Sequence, residues 1–326
     1  MRALLTGGTG FIGVHLAHAL VRSHFDVTIF DRTPAQIGAF ADCPVRVVTE
    51  DLANRRALQE ALKGVDVVYH LAWSGIHSSS NLNIRAHTET NLLFTLDLLD
   101  ECRNAGVRRV VFMSSGGAVY GHAHQLPIPE HHPTAPISAY GAAKLSVEAY
   151  LHVYGHLYDL SCVSLRPSVP FGEWQNSRQG QGAVNVFLRN VYYGRPIVVW
   201  GSGDIVRDFF YVGDLARACL LAANMDVAPG AYNIGGGVPI TLKELIERIR
   251  YVTGRAVPVI YEPPRSFDPH SIVLDISKAR CELGWTPRVP LVDAIARTWG
   301  WITSDGCASH LAATPEGILQ DETEGL

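Results

Sequence analysis

The chain contains no run of about 20 apolar residues, so no segment of it is long enough to cross a bilayer as a helix. Its six cysteines, Cys43, Cys102, Cys162, Cys219, Cys281 and Cys307, include no CxxC pair and no metal-type spacing. That removes zinc-ribbon and disulfide-scaffold classes and predicts no metal centre. Scattered thiols in a chain of this size suit a reducing compartment. Basic residues are not in excess: 27 Lys and Arg face 31 Asp and Glu, for a net charge of -4. A nucleic-acid partner is therefore not expected. Ala3-Leu4-Leu5 follows Met1-Arg2 but stops at once in glycines, too short for a secretory core region. The expected location is the cytoplasm, with no membrane partner. What remains is an ordinary soluble-enzyme composition: 326 residues, 47% hydrophobic and 18% charged, enough to bury a sizeable core.

Short apolar runs alternate with helical patterns through the first half. Strands are expected at Ala3–Leu5, Val27–Phe30, Val45–Glu50, Val65–Leu71, Arg109–Met113 and Cys162–Leu165. Helices are expected at Phe11–Ser23 and Arg55–Lys63, as one long helix over Asn83–Asn104, and from Ala139 to about Tyr158 with Ser138 as N-cap. This alternation predicts an α/β fold, a doubly wound parallel sheet of the Rossmann kind. Gly172–Gly182 reads as a loop. Beyond it, strands (Ile197–Trp200, Phe209–Val212, Val257–Tyr261) and helices (Leu215–Ala223, Leu242–Val252) mix without strict alternation. The expected organisation is a dinucleotide-binding domain over 1–172 and a smaller mixed α/β substrate lobe over 173–302. Some strands of the lobe are expected to return to the first domain, and 303–326 to form a mobile tail.

Two segments carry the chemistry. Gly7, Gly10 and Gly13 form Gly-x-x-Gly-x-x-Gly between a strand and a helix, with Phe11 and Ile12 opening that helix. Glycines allow a tight turn and let backbone N–H groups approach a pyrophosphate, and the helix N-terminus adds partial positive charge. Asp31 ends the second strand, where a carboxylate binds ribose hydroxyls and repels a 2′-phosphate; this favours NAD over NADP. The other reading of Asp31 is a strand-end turn, and Arg32 beside it can accept an extra phosphate. Asp51-Leu52 follows the third strand and either frames an adenine or caps a helix. The second segment is Tyr140-Gly141-Ala142-Ala143-Lys144. Residues four apart share one helix face. An ammonium beside a phenol favours phenolate, so Lys144 is expected to lower the Tyr140 pKa towards working pH.

Taken in order, the glycine turn, His70-Leu71-Ala72, Asn91, the Ser114–Gly121 stretch and Tyr140-x-x-x-Lys144 resemble the extended short-chain dehydrogenase/reductase family. Within it the chain is similar to nucleotide-sugar epimerases of the UDP-glucose 4-epimerase type, over about Met1 to Trp301. The resemblance implies Leu71, Ala72 and Asn91 as further cofactor contacts. It implies Tyr140 as proton-transfer group, Lys144 as holder of the nicotinamide ribose, and a homodimer through the Asn83–Asn104 and Ala139–Tyr158 helices. The family's Ser or Thr falls at Gly116 here, so Ser115 is expected to supply the catalytic hydroxyl, with Ser114 or a water as the alternative. Arg207 and Arg265 resemble the arginines that hold the diphosphate, and Asp268 the acid on the nucleoside ribose. Val169 stands where the family often has Asn, so either backbone groups or Ser168 compensate, or the substrate sits differently. The Asp-Glu pair of the dehydratase relatives is missing, which leaves oxidation and reduction at one carbon.

The expected activity is thus a UDP-sugar 4-epimerase with NAD, passing through a 4-keto intermediate. The rivals are an NAD(P)-dependent reductase or dehydrogenase of a nucleotide-linked keto sugar and a non-catalytic nucleotide-sensing protein.

Overall fold

A computed structural model describes residues 1–33, 36–75, 77–175, 182–265 and 269–304. The expected tail, beyond Ser304, lies outside the described residues, as do 176–181 of the expected loop. The main sheet is built from β1 (Arg2–Thr6), β2 (Asp26–Asp31), β3 (Val45–Thr49), β4 (Val67–His70), β5 (Arg109–Met113) and β6 (Ser161–Pro167). A seventh strand, Gly230–Ile234, returns from the second half of the chain and pairs with β6. All seven are parallel, ordered Gly230–Ile234, β6, β5, β4, β1, β2, β3. β4 and β5 are buried along their whole length, which is why they read as continuous apolar runs. One core cluster fills the face with the Phe11–Arg22 and Val212–Ala222 helices, and another the face with the Arg55–Ala61, Phe94–Asn104 and Ala139–Tyr158 helices.

The strand order reverses between β1 and β4. That switch point opens a crevice at the carboxyl ends of the strands, where doubly wound sheets bind ligands. Thr6, Asp31, His70, Met113 and Pro167 end the strands that line this edge. Smaller sheets sit beyond it: Val169–Phe171 with Phe209–Tyr211, Ile197–Trp200 with Val259–Glu262, and Val206–Arg207 between Ile240–Thr241 and Ser271–Ile272. A third cluster, with Phe187, Leu188, Leu245 and Ile295, forms the interior of this part.

The single long helix expected over Asn83–Asn104 is not what forms. An α-helix over Ile84–Thr88 passes into a π-turn, Glu89–Leu93, before the α-helix resumes at Phe94. The cause is side-chain competition for backbone groups. Asn91 Nδ2 donates to the His87 carbonyl (2.9 Å) and Thr95 Oγ1 to the Asn91 carbonyl (2.6 Å), widening the turn. The expected Ser138 cap does form, its hydroxyl accepting from the Gly141 N–H at 3.2 Å.

Candidate active site

The glycine turn is shaped by close approach. Gly7 has φ +69°, and a Cβ there would lie 2.6 Å from Ala72 N and Cα; one at Gly13 would run into the Gly8 carbonyl. The turn thus presses against Leu71-Ala72 at the end of β4. Gly10 caps the 12-residue Phe11–Arg22 helix with no side-chain bond, so among the described residues no capping side chain occupies the helix N-terminus. That cradle fits a pyrophosphate. Asp31 braces it: Oδ2 accepts from Thr9 N (3.0 Å) and Thr9 Oγ1 (2.7 Å), and Oδ1 from Thr33 N (3.2 Å). Arg32 is exposed beside it. Asp51 is not the helix cap, which is Asn54; its Oδ1 accepts from Ala53 N at 2.9 Å, and Leu52 is half-buried against the core. Asn91 turns its amide on the loop after β4. Ser74 N donates to Oδ1 (2.8 Å) and Nδ2 donates to the Ser74 carbonyl (3.0 Å). It clamps the chain next to Leu71 and Ala72 and is 5% exposed.

Ser115, Tyr140 and Lys144 are brought together at the end of β5. Ser115 leads the short helix Gly116–Val119, and its hydroxyl acts on the Tyr140 phenol in the direction opposite to burial. Gly116 cannot carry the family's hydroxyl. A Cβ there would meet Leu274 Cδ1 at 2.6 Å and the Arg166 carbonyl at 2.9 Å. Ser114 is no substitute either: it is 2% exposed and donates to Glu148 Oε1. Lys144 is also 2% exposed; Nζ donates to the Met113 carbonyl at 2.6 Å and lies 3.5 Å from the centroid of the Trp73 ring. The loop after β4 fixes the helix start, since Ser80 Oγ accepts from Tyr140 N (3.1 Å) and Asn81 Oδ1 from Ala139 N (2.9 Å).

The electrostatics correct one expectation. The Tyr140 phenol is not lowered but pushed up to about 12, because desolvation outweighs the Ser115 bond. Lys144 is itself driven well below its ordinary value by burial, with Glu148 opposing. Glu148 is largely committed elsewhere, in a two-oxygen ion pair with Arg166 at 2.5 Å and in the bond from Ser114. In the free protein a phenol in this place is an acid held protonated.

On the far side of the crevice, Arg207 Nη1 donates to the carbonyls of Val206 (2.9 Å) and Pro269 (2.8 Å). This draws it to the segment that carries Arg265, whose guanidinium lies 4.6 Å over the Trp200 ring. Asp268 lies outside the described residues. Ser168 does not compensate for Val169: its hydroxyl donates to the Asp208 carbonyl at 2.6 Å. Asp208 is fully buried and accepts from the N–H groups of Gly236 (2.5 Å), Gly237 (3.0 Å) and Leu274 (3.2 Å). Burial pushes it up to about 6. Among the described residues no group of three His, Cys, Asp or Glu is placed to hold a metal, and no helix is long and apolar enough to cross a membrane.

Reading the sequence missed Trp73, Glu148, Asp208 and the Ser80-Asn81 pair. Only Glu148 carries a signal that could have found it, standing one helical turn beyond Lys144. Beside Lys144, Trp73 Nε1 and both ring nitrogens of His87 are buried with no hydrogen-bond partner among the described residues. Orphaned polar atoms there suit a site that receives a polar ligand.

Residues 3–235 match the model of the NAD-dependent epimerase/dehydratase family. A UDP-glucose 4-epimerase of Mycolicibacterium smegmatis is 32% identical over 308 residues, covering 91% of this chain and 97% of that one. Among solved structures, a Thermotoga maritima UDP-glucose 4-epimerase with UDP-glucose superposes with a TM-score of 0.88 at 31% identity, covering 93% and 98% of the two chains. A Thermus thermophilus UDP-glucose 4-epimerase in complex with NAD gives 0.83 at 33% identity, covering 92% and 98%.

Two outcomes are expected. Gly116→Ala lowers stability by about 2 kcal/mol in chemical denaturation through overpacking. Gly117→Ala, whose nearest neighbours lie 3.9 Å from an added Cβ, stays within about 0.5 kcal/mol. In NAD-free protein, the phenolate absorbance that Tyr140→Phe removes appears only near pH 12. Because the fold holds this proton more tightly than an exposed phenol does, stability falls as pH rises from about 10 through about 12.

Proposed function

The chain belongs to the NAD-dependent epimerase/dehydratase family, and from that membership we propose that it is a nucleotide-sugar 4-epimerase acting on a UDP-sugar with NAD as cofactor. The observation that carries the reading is Ser115 and Tyr140 brought together, with Lys144 one helical turn from the phenol, at the edge where the glycine turn lies.

Gly7, Gly10, Phe11, Ile12 and Gly13 hold the cofactor pyrophosphate, and Asp31 and Arg32 face its adenosine ribose. Asp51 and Leu52 frame the adenine. Leu71 and Ala72, kept in place by Asn91, line its path towards Tyr140 and Lys144. Bound there, NAD supplies the acceptor that takes a hydride from C4 of the sugar and gives it back. Ser115 orients the C4 oxygen, and Tyr140 receives its proton and later returns it to the opposite epimer. An ordinary phenol, titrating near 10, is almost wholly protonated at neutral pH and so has no free site to take a proton, and one near 12 is more completely protonated still. To work as a base, Tyr140 must be lowered on cofactor binding, and the positive charge of an oxidised nicotinamide held at Lys144 would act in that direction. Lys144 holds the nicotinamide ribose, and Arg207, Arg265 and Asp268 hold the diphosphate and nucleoside while the sugar turns.

The two-part organisation follows: 1–172 for the cofactor and 173–302 for the substrate, with Gly230–Ile234 returned to the main sheet. A homodimer is supported by exposed apolar residues on adjoining helices. Tyr150, Val153 and Leu157 share one face of the Ala139–Tyr158 helix, and Ile84 and Leu93 lie on its neighbour. Cys43, Cys102, Cys162, Cys219 and Cys281 are free thiols, which supports a cytoplasmic location.

The test is a panel of UDP-sugars given to purified protein with NAD and read by NMR. Inversion at C4 with no net NADH is expected. Tyr140→Phe should cut turnover by roughly 10²- to 10⁴-fold and Ser115→Ala by on the order of 10²-fold. Stoichiometric consumption of NADPH on a keto sugar, without inversion, would place the chain with the reductases instead.

A further inference from the structure

We propose that Trp73 is a positioning residue for Lys144, its indole face keeping the lysine ammonium in place and protonated inside a buried site. The role of Lys144 in turnover rests on the epimerase reading; the contact itself does not.

A buried ammonium needs partners that replace water. The recorded hydrogen-bond acceptor of Lys144 Nζ is the Met113 carbonyl, at 2.6 Å. Its other near neighbours are aromatic: the Trp73 ring centroid at 3.5 Å, Phe112 at 4.8 Å and Tyr140 at 5.6 Å. Indole has the strongest quadrupole of the aromatic side chains, and its attraction for a cation grows when water is excluded. The titratable groups facing Lys144 offer little instead. Glu148, on the same helix, opposes the loss of the proton but is tied to Arg166 and Ser114. His70, on β4, is held between the Thr6 and Thr95 hydroxyls and pushed down to about 3, so it is neutral. His87 is lowered too, by burial first and by Lys144 second.

Trp73 is also held in place. Its ring stands edge-on to His87 and Tyr140 and tilted against Phe112, all at 6.0 Å between centroids. The next residue, Ser74, is clamped at both N–H and carbonyl by Asn91. A chain of contacts therefore runs from the π-turn through Asn91, Ser74 and Trp73 to Lys144. Leucine would fill part of the same volume but offers an ammonium no face.

The test uses the full chain with Trp73→Phe, Trp73→Leu and Lys144→Met. Without NAD, the fluorescence difference between wild type and Trp73→Phe is followed against pH. It should change at a pH below the ordinary lysine range of about 10.4. In a Lys144→Met background the same difference should stay flat there. With NAD and the UDP-sugar, Trp73→Leu should lose on the order of tenfold in kcat with little change in KM. The alkaline limb of its kcat profile should move to lower pH, because a less stabilised ammonium gives up its proton sooner. Trp73→Phe, which keeps a face, should recover most of that loss. Equal losses in both Trp73 variants with an unmoved pH profile, or no loss in either, would overturn the proposal. So would a fluorescence titration that survives Lys144→Met. Where Trp73→Leu does not fold, the fluorescence comparison and the pH profile of Trp73→Phe decide. Where wild type inverts no UDP-sugar, the functional reading fails, and the fluorescence comparison still judges the contact.

Discussion

A positive charge enclosed at the carboxyl edge of a parallel sheet is the constraint around which this molecule is arranged. Lys144 is almost wholly removed from water, and so is the Arg166 guanidinium on the neighbouring strand. One buried carboxylate, Glu148, serves both, and Arg166 takes the direct contact. Lys144 is left with a carbonyl and aromatic faces. The same dry surroundings raise the neighbouring phenol of Tyr140. The free protein is therefore chemically quiet: its acid keeps its proton, and its lysine is only loosely committed to charge. A positively charged ring bound beside the phenol would favour the phenolate. On this account the cofactor supplies the redox step and also switches on the base.

The fold places that chemistry by topology more than by any single contact. Strand order reverses between β1 and β4, and the groups that matter hang from the ends of β1, β2, β4 and β5 or from the loops that follow them. Close packing sets the detail. Gly7 against Ala72 fixes the distance between the ends of β1 and β4, and Gly116 packed against Leu274 and the Arg166 carbonyl fixes where Ser115 stands beside the phenol. Asp208, tied to three backbone N–H groups, joins the arginine-bearing strand to the loops at 236–237 and 274.

Much of this was legible in the residues themselves. The glycine spacing, the alternation of apolar runs and the Ser138 cap depend on local chemistry, and they gave the parallel sheet and the start of the long helix. That position 116 carries no hydroxyl and position 115 does is plain from sequence; the occupied space beside Gly116 is not. The π-turn stayed hidden because the residue types alone do not show that the Asn91 amide and the Thr95 hydroxyl turn back on the carbonyls four residues before them, while Asn91 also holds Ser74, 17 residues away. The pKa of Tyr140 was misjudged for a similar cause. Spacing shows that a lysine is near, but only burial shows that desolvation wins. Trp73 gave no sign at all, since an aromatic residue in a loop becomes a partner for Lys144 only once the helix is folded against it.

The central claim is that one carbon loses a hydride and recovers the same hydride on its other face inside a closed site. Its most direct measurement is the fate of deuterium placed at C4 of the UDP-sugar. The account predicts that the inverted product keeps the label at C4, with none passing to solvent. Loss of the label to water during inversion would contradict it, because the carbon would then have exchanged a proton and not a hydride.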